Sequence, residues 1–197
     1  MKYVVLTSVT RDDLADGGAA HFARCVRAVK ELERAPVVEV LAPDFGGSRE
    51  AVETLAGSGA EVFAHNIETV ERLYPEIRDG ACYGRSLGIL KMVADGFPEV
   101  VVKSGLMVGL GETAEEVRAT LGDLAEAGCT VVTVGQYMQP SKEHHPVQRY
   151  YAPQEFEELK RHAEGLGLVA VSGPRVRSSY LAGEAYEDAN LRRQRCA

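Results

Sequence analysis

Six polar clusters stand at or just past the ends of apolar, β-rich runs: Thr7-Ser8, Pro43-Asp44, His65-Asn66, Lys103-Ser104, Gln136-Tyr137 and Ser172. Asn66 and Glu68 are two residues apart, so in an extended chain their side chains point the same way. An amide beside a carboxylate offers donors and acceptors together, which suits vicinal hydroxyls such as those of a ribose. Lys103 near the end of an apolar run could attack a carbonyl as a Schiff-base amine if desolvation lowered its pKa. It could equally pair with Asp44 or Glu68, or carry its charge to the rim on its aliphatic stem. After it come Gly105, Gly109 and Gly111, then Thr113 and Glu116 at capping-box spacing. A strand, a glycine turn and a helix start describe the end of a β/α unit where backbone can approach a small molecule closely, or else a plain connecting turn.

Other chemistries lack their residues. His144 and His145 are adjacent, His21 and His162 lie far from them, and no HExxH pattern is present. The Gly109–Glu112 stretch lacks the lysine and hydroxyl of a phosphate loop. Cysteines 25, 82, 129 and 196 match neither a metal-binding spacing nor a disulfide framework. Cys25 falls in a helical stripe with Phe22, Val26, Val29 and Leu32 and reads as a buried small hydrophobe. The net charge is -7 with both signs interspersed, which provides no basic field for nucleic acid or an anionic membrane. No apolar run reaches the roughly 18 residues of a membrane span and no secretory leader is recognisable, so a cytoplasmic location is expected.

The 197 residues, 45% of them hydrophobic, suffice for one domain with a real core. Strands are predicted at 2–9, 37–42, 61–64, 100–106, 129–134 and 168–172. Helices are expected between them, including one from Ser48 to Ala56, pieces near 69–74 and 85–94, and one opened by Pro153. This βα rhythm argues a parallel sheet with right-handed crossovers. In a barrel the carboxyl ends of the strands converge on the active site, whereas a doubly wound open sheet binds at one switch point. Polar residues at nearly every strand end favour the barrel. The tail with Arg192, Arg193 and Arg195 reads as a solvated surface.

The segments YVVLTSVTRDDLADGGAAHF, EVLAPDFGG, HNIETVERLYP, KSGLMVGLGET, VGQYMQPSKEHHPVQRY and SGPRVRSSY, in register from residue 3 to 180, resemble successive motifs of lipoyl synthase, a family of radical S-adenosylmethionine (SAM) enzymes. The resemblance implies an α/β fold, a partial (β/α)6 TIM-like radical SAM barrel lacking its first strand. It makes residues 1–197 a single incomplete domain with 174–197 as a C-terminal extension. It implies SAM as cosubstrate and two four-iron four-sulfur clusters, one generating a 5'-deoxyadenosyl radical and the other supplying sulfur to C6 and C8 of a protein-bound octanoyl group. The partner would be an octanoylated lipoyl-carrier domain or the glycine cleavage H protein.

Carried onto this chain, the resemblance gives Thr7, Ser8, Arg11, Asp12 and Asp13 to the methionine end of SAM. Asn66 and Glu68 go to its ribose or amino group, Lys103 with Gly105, Gly109 and Gly111 to the nucleoside side, and Gln136, Tyr137 and Gln139 to the same cavity. Arg177, Ser178 and Ser179 fall in the RSSY motif, in which a serine oxygen ligates the auxiliary cluster; Ser178 is expected there, with Ser179 the alternative. The family's two cysteine triplets, CxxxCxxC and CxxxxCxxxxxC, are absent from this sequence. A truncated product is expected, or half of a split enzyme with a cluster-bearing partner chain, or a noncatalytic SAM-binding paralogue, each inactive alone. A Schiff-base aldolase using Lys103 is the rival from a different class.

Overall fold

The structure, a computed structural model, describes residues 1–196; Ala197 and the side chains of Arg195 and Cys196 lie outside what is described. Short β-branched runs form six strands: β1 Tyr3–Thr7, β2 Val37–Leu41, β3 Val62–Ala64, β4 Val101–Val108, β5 Val131–Gln136 and β6 Val169–Gly173. They make one sheet in sequential order, every pair parallel. The helices are α1 Ala19–Lys30, α2 Arg49–Ala56, α3 Tyr74–Ile77, α4 Tyr83–Gly96, α5 Ala114–Glu126, α6 Pro153–Gly165 and α7 Ala182–Cys196. The expected helix at 69–74 is instead a 3-10 turn, Glu71–Leu73, running into α3.

Local chemistry sets the helix starts. The Ser48 hydroxyl accepts from the Ala51 amide. Thr113 and Glu116 form the reciprocal capping box, and the Glu116 carboxylate also takes a forked contact from Arg72. These contacts pull its pKa down to about 2, the Arg72 hydrogen bond first.

Alternation along the strands gives the sheet two different faces. Val38, Val40, Phe63, Val102, Val132 and Val134 face the main core with Phe22, Leu55, Leu90, Leu121 and Leu159 of the surrounding helices. In α1 the buried stripe is Ala19, Phe22, Ala23 and Val26. Cys25 is therefore exposed, contrary to expectation, and Leu32 is 58% exposed. The stripe is carried by two alanines, which turns it away from the side the larger residues marked.

The inner face holds a second, smaller cluster: Val62, Val101, Val131 and Val169, covered by Ala185 and Ala189 of α7. The tail is thus only in part the solvated surface expected from its charge: Arg192 is exposed, whereas Ala185 and Ala189 of the same helix are buried and Arg193 is half-buried. Arg193 donates to the Glu99 and Val100 carbonyls, and Arg192 to those of Gly167 and Leu168, just ahead of β4 and β6. α7 closes the amino-terminal end of the inner face, and its arginines satisfy carbonyls at that floor.

Candidate functional site

Along the inner face of β4 the order from floor to rim is Val101, Lys103, Gly105, Met107, and register places Thr133 beside Gly105 and Gly135 beside Met107. Lys103 therefore lies two residues, about 7 Å, before Gly105. Its ammonium meets both Glu39 oxygens at 2.8 and 2.9 Å, with both side chains almost wholly buried. Tyr3 donates to the same carboxylate at 2.5 Å; burial first, then the Glu39 charge, pushes its phenol pKa upward. Lys103 is neither a pocket wall nor a free amine, and its partner is neither Asp44 nor Glu68. The missed signal was a glutamate inside the apolar run VVEVL, on the inward parity of its strand.

Above this pair is a cleft of about 120 Å3 lined by Asn66, Glu68, Gly105, Thr133, Gly135 and Ser178, together with Leu106, Met107, Val176 and Arg177. Gly105 creates the space, since a Cβ there would stand 2.4 Å from Thr133 Oγ1 and 3.1 Å from Asn66 Oδ1. Gly135 lets the 174–180 segment cross the rim, because a Cβ would sit 2.4 Å from the Val176 carbonyl. The buried Asn66 Oδ1 has no hydrogen-bond partner, and such an orphan requires an explanation. Glu68 has a φ of 65°, and that strain is held by β4, where its N–H donates to the Gly105 carbonyl and its own carbonyl accepts from Met107 N–H. Burial raises its carboxyl pKa, against the pull of the Asn66 amide and the Arg78 charge. Thr133 and Gly135 were not foreseen, because their role depends on the register between β4 and β5.

The other expected residues are dispersed. Thr7, Ser8 and Arg11 line a different cavity of about 530 Å3 beside α1, with Arg11 forked onto Asp13. Asp12 lines a third, of about 550 Å3, with Asp44, Arg78 and Arg85. Gly109 and Gly111 have φ of 101° and 106°, and the Gly109 and Leu110 amides donate to the Glu112 carboxylate at 2.7 and 2.8 Å. The turn thus carries its own anion, and Tyr151 donates to it as well. Gln136 is spent on the carbonyls of Tyr137 and Arg149 and on the Tyr151 amide. Tyr137 donates to His145 O and Gln139 to His144 O. Gly109 and Gly111 therefore build the turn after β4, and Gln136, Tyr137 and Gln139 the end of β5 and the loop after it, rather than the cleft. Ser178 reaches the cleft, whereas Ser179 is exposed and does not line it.

His65 is buried, with Nδ1 2.9 Å from the Ala42 carbonyl and Nε2 3.0 Å from Ser86 Oγ. Burial lowers its pKa, and it serves as a neutral link between β3 and α4. No group of three histidine, cysteine or acidic side chains is placed to hold a metal ion among the described residues. Nor is any helix among them long and apolar enough to cross a membrane.

The Radical SAM superfamily model matches residues 1–124. Lipoyl synthase of Caldicellulosiruptor bescii is 54% identical over 183 residues, covering 92% of this chain and 63% of that protein. The Mycobacterium tuberculosis lipoyl synthase (strain H37Rv) is 51% identical over 190 residues, covering 96% and 60%. That of Methylococcus capsulatus is 54% identical over 186 residues, covering 93% and 58%. The chain belongs to the lipoyl synthase family. It spans about three-fifths of the length of these relatives. Among solved structures, methylornithine synthase aligns with a TM-score of 0.67 at 17% identity, over 85% of this chain and 49% of that one. That likeness concerns the fold, a partial TIM-like radical SAM barrel, open in this chain between β1 and β6.

Proposed function

We propose that this lipoyl synthase family chain supplies the SAM-binding rim of a radical enzyme that inserts two sulfur atoms, at C6 and C8, into a protein-bound octanoyl group. The observation that carries the reading is the unpartnered, buried Asn66 Oδ1 facing the space kept open by Gly105. SAM has hydroxyl and ammonium donors that this oxygen can accept, and the adjacent Glu68 carboxylate can take a second. The cleft has the scale of a sugar ring rather than of the whole molecule. Asn66 and Glu68 would therefore hold the ribose or the amino group, with Thr133 as a side wall. When bound, SAM supplies the radical chemistry. The chain's residues fix its orientation and line the space with buried groups that limit water.

The iron–sulfur clusters do not fit the residues present. Cys25 and Cys82 are exposed on separate elements and Cys129 is buried, with its thiol pKa pushed upward by burial. Cluster binding needs several thiolates at one place. Ser178, on the cleft, is better placed than Ser179 to offer an oxygen to a cluster held by other residues. We assign residues 1–197 to one barrel domain with 174–197 as its extension, a cytoplasmic location, and an octanoylated carrier domain or the glycine cleavage H protein as partner. The chain alone is expected to make no 5'-deoxyadenosine after reconstitution with iron, sulfide and SAM.

Isothermal titration with SAM tests the cleft. Asn66→Ala removes one or two hydrogen bonds and is expected to weaken binding about tenfold at unchanged melting temperature. Equal affinity of the variant and the unmodified chain would remove Asn66 from the site.

A further inference from the structure

Asn66 and Glu68 can serve the cleft only if the strained segment carrying them is held still. β4 secures part of it, since Ile67 N–H donates to Ser104 Oγ at 3.1 Å and Glu68 exchanges two backbone hydrogen bonds with the strand. The Asn66 carbonyl is secured from the other side. Arg78, just beyond α3, brings Nη1 within 3.1 Å of that carbonyl, 3.0 Å of the Tyr74 hydroxyl and 3.4 Å of Ser86 Oγ.

The hydrogens have a consistent direction. Arg78 donates to the Asn66 carbonyl and to Tyr74, Tyr74 donates to Ser86 at 3.2 Å, Ser86 donates to His65 Nε2, and His65 Nδ1–H donates to the Ala42 carbonyl. The chain of donors starts at a guanidinium, which cannot reverse its role because it has no acceptor. Each later group is thereby fixed in orientation. Arg78 is half-buried and forms no ion pair among the described residues. A half-buried cation whose side-chain hydrogen bonds go to neutral oxygens is an arrangement for direction rather than for charge pairing.

We propose that Arg78 is a positioning residue for SAM, locking the Asn66–Glu68 segment through the Asn66 carbonyl so that Asn66 Oδ1 and the Glu68 carboxylate face the cleft together. This rests on the reading of the cleft given above. It adds a residue that does not line the cleft, and it gives the buried His65, Ser86 and Tyr74 cluster a purpose beyond packing.

Amide hydrogen exchange without ligand and titration with SAM, both on the full chain, test it. Arg78→Met is expected to speed exchange at Ile67 and Glu68 about tenfold, to leave the β5 amides unchanged, and to weaken SAM about tenfold. Arg78→Lys keeps a cationic donor and is expected to recover most of both. Weakened SAM with unchanged ligand-free exchange would make Arg78 a direct contact and overturn the proposal. Faster exchange with unchanged SAM affinity would make its role purely structural and overturn it too. If Arg78→Met does not fold, Tyr74→Phe keeps the ring, removes the oxygen that orients the guanidinium, and is expected to shift both readouts in the same direction; no shift in either overturns the proposal. Should the unmodified chain bind no SAM, the cleft reading fails, while exchange at Ile67 and Glu68 still decides whether Arg78 holds the segment.

Discussion

The residues that make the cleft are distinguished by what they leave open. Asn66 keeps a buried oxygen without a partner, and Gly105 keeps a volume that any side chain would fill. Gly105→Ala is expected to abolish measurable SAM binding, because its methyl would press on Thr133 and Asn66; titration beside a thermal melt checks this. Lys103 is the opposite case, a charge fully consumed. Lys103→Met leaves Glu39 buried with Tyr3 alone and is expected to cost about 3 kcal/mol in urea unfolding. Adding Glu39→Leu to that variant is expected to recover most of the loss, which an active-site lysine would not show. The sequence marks Asn66 and Glu68 through their two-residue spacing, and the structure puts both on one cleft even though Glu68 leaves the extended conformation. It marks Lys103 as unusual but not its height on the strand, which only the pairing of β4 with β5 reveals.

At the scale of elements, six strands and most of their connecting helices were legible from periodicity and caps, with ends displaced by a residue or two, apart from the piece near 69–74, which is a 3-10 turn running into α3. α7 was not, because its buried positions are Ala182, Ala185 and Ala189, small residues among charges that form no apolar run. A chain ending at Leu181 uncovers the four inner valines and is expected to lose about 4 kcal/mol or more, read by urea unfolding with dye binding as the control. The link from β3 to α4 through His65 carries a pH dependence. Its folded pKa is lowered, so below the unfolded value of about 6.5 the unfolded chain takes up a proton that the folded one refuses, and stability falls with pH. The melting temperature is expected to drop more steeply between pH 7 and 5 than in His65→Gln. Equal slopes would mean that His65 does not contribute.

For the whole molecule, the parallel sheet is covered by helices on one face and by α7 at the floor of the other, leaving the rim of the inner face for a small molecule. The edges at β1 and β6 remain unpaired, and exposed strand edges favour association, so concentration-dependent dimers are expected by sedimentation. The family motifs placed SAM residues along the whole rim, whereas the structure separates them into three cavities and assigns the glycine turn after β4 to Glu112. Motif order survives in the sequence, but which side chains converge is decided by register and by loop hydrogen bonds that no linear spacing records. Nuclear magnetic resonance titration of the full chain with SAM tests this division most directly. Shifts concentrated at Asn66, Glu68, Gly105, Thr133 and Gly135 are the predicted result, and shifts centred on Lys103 or on the turn from Gly109 to Gly111 would contradict it.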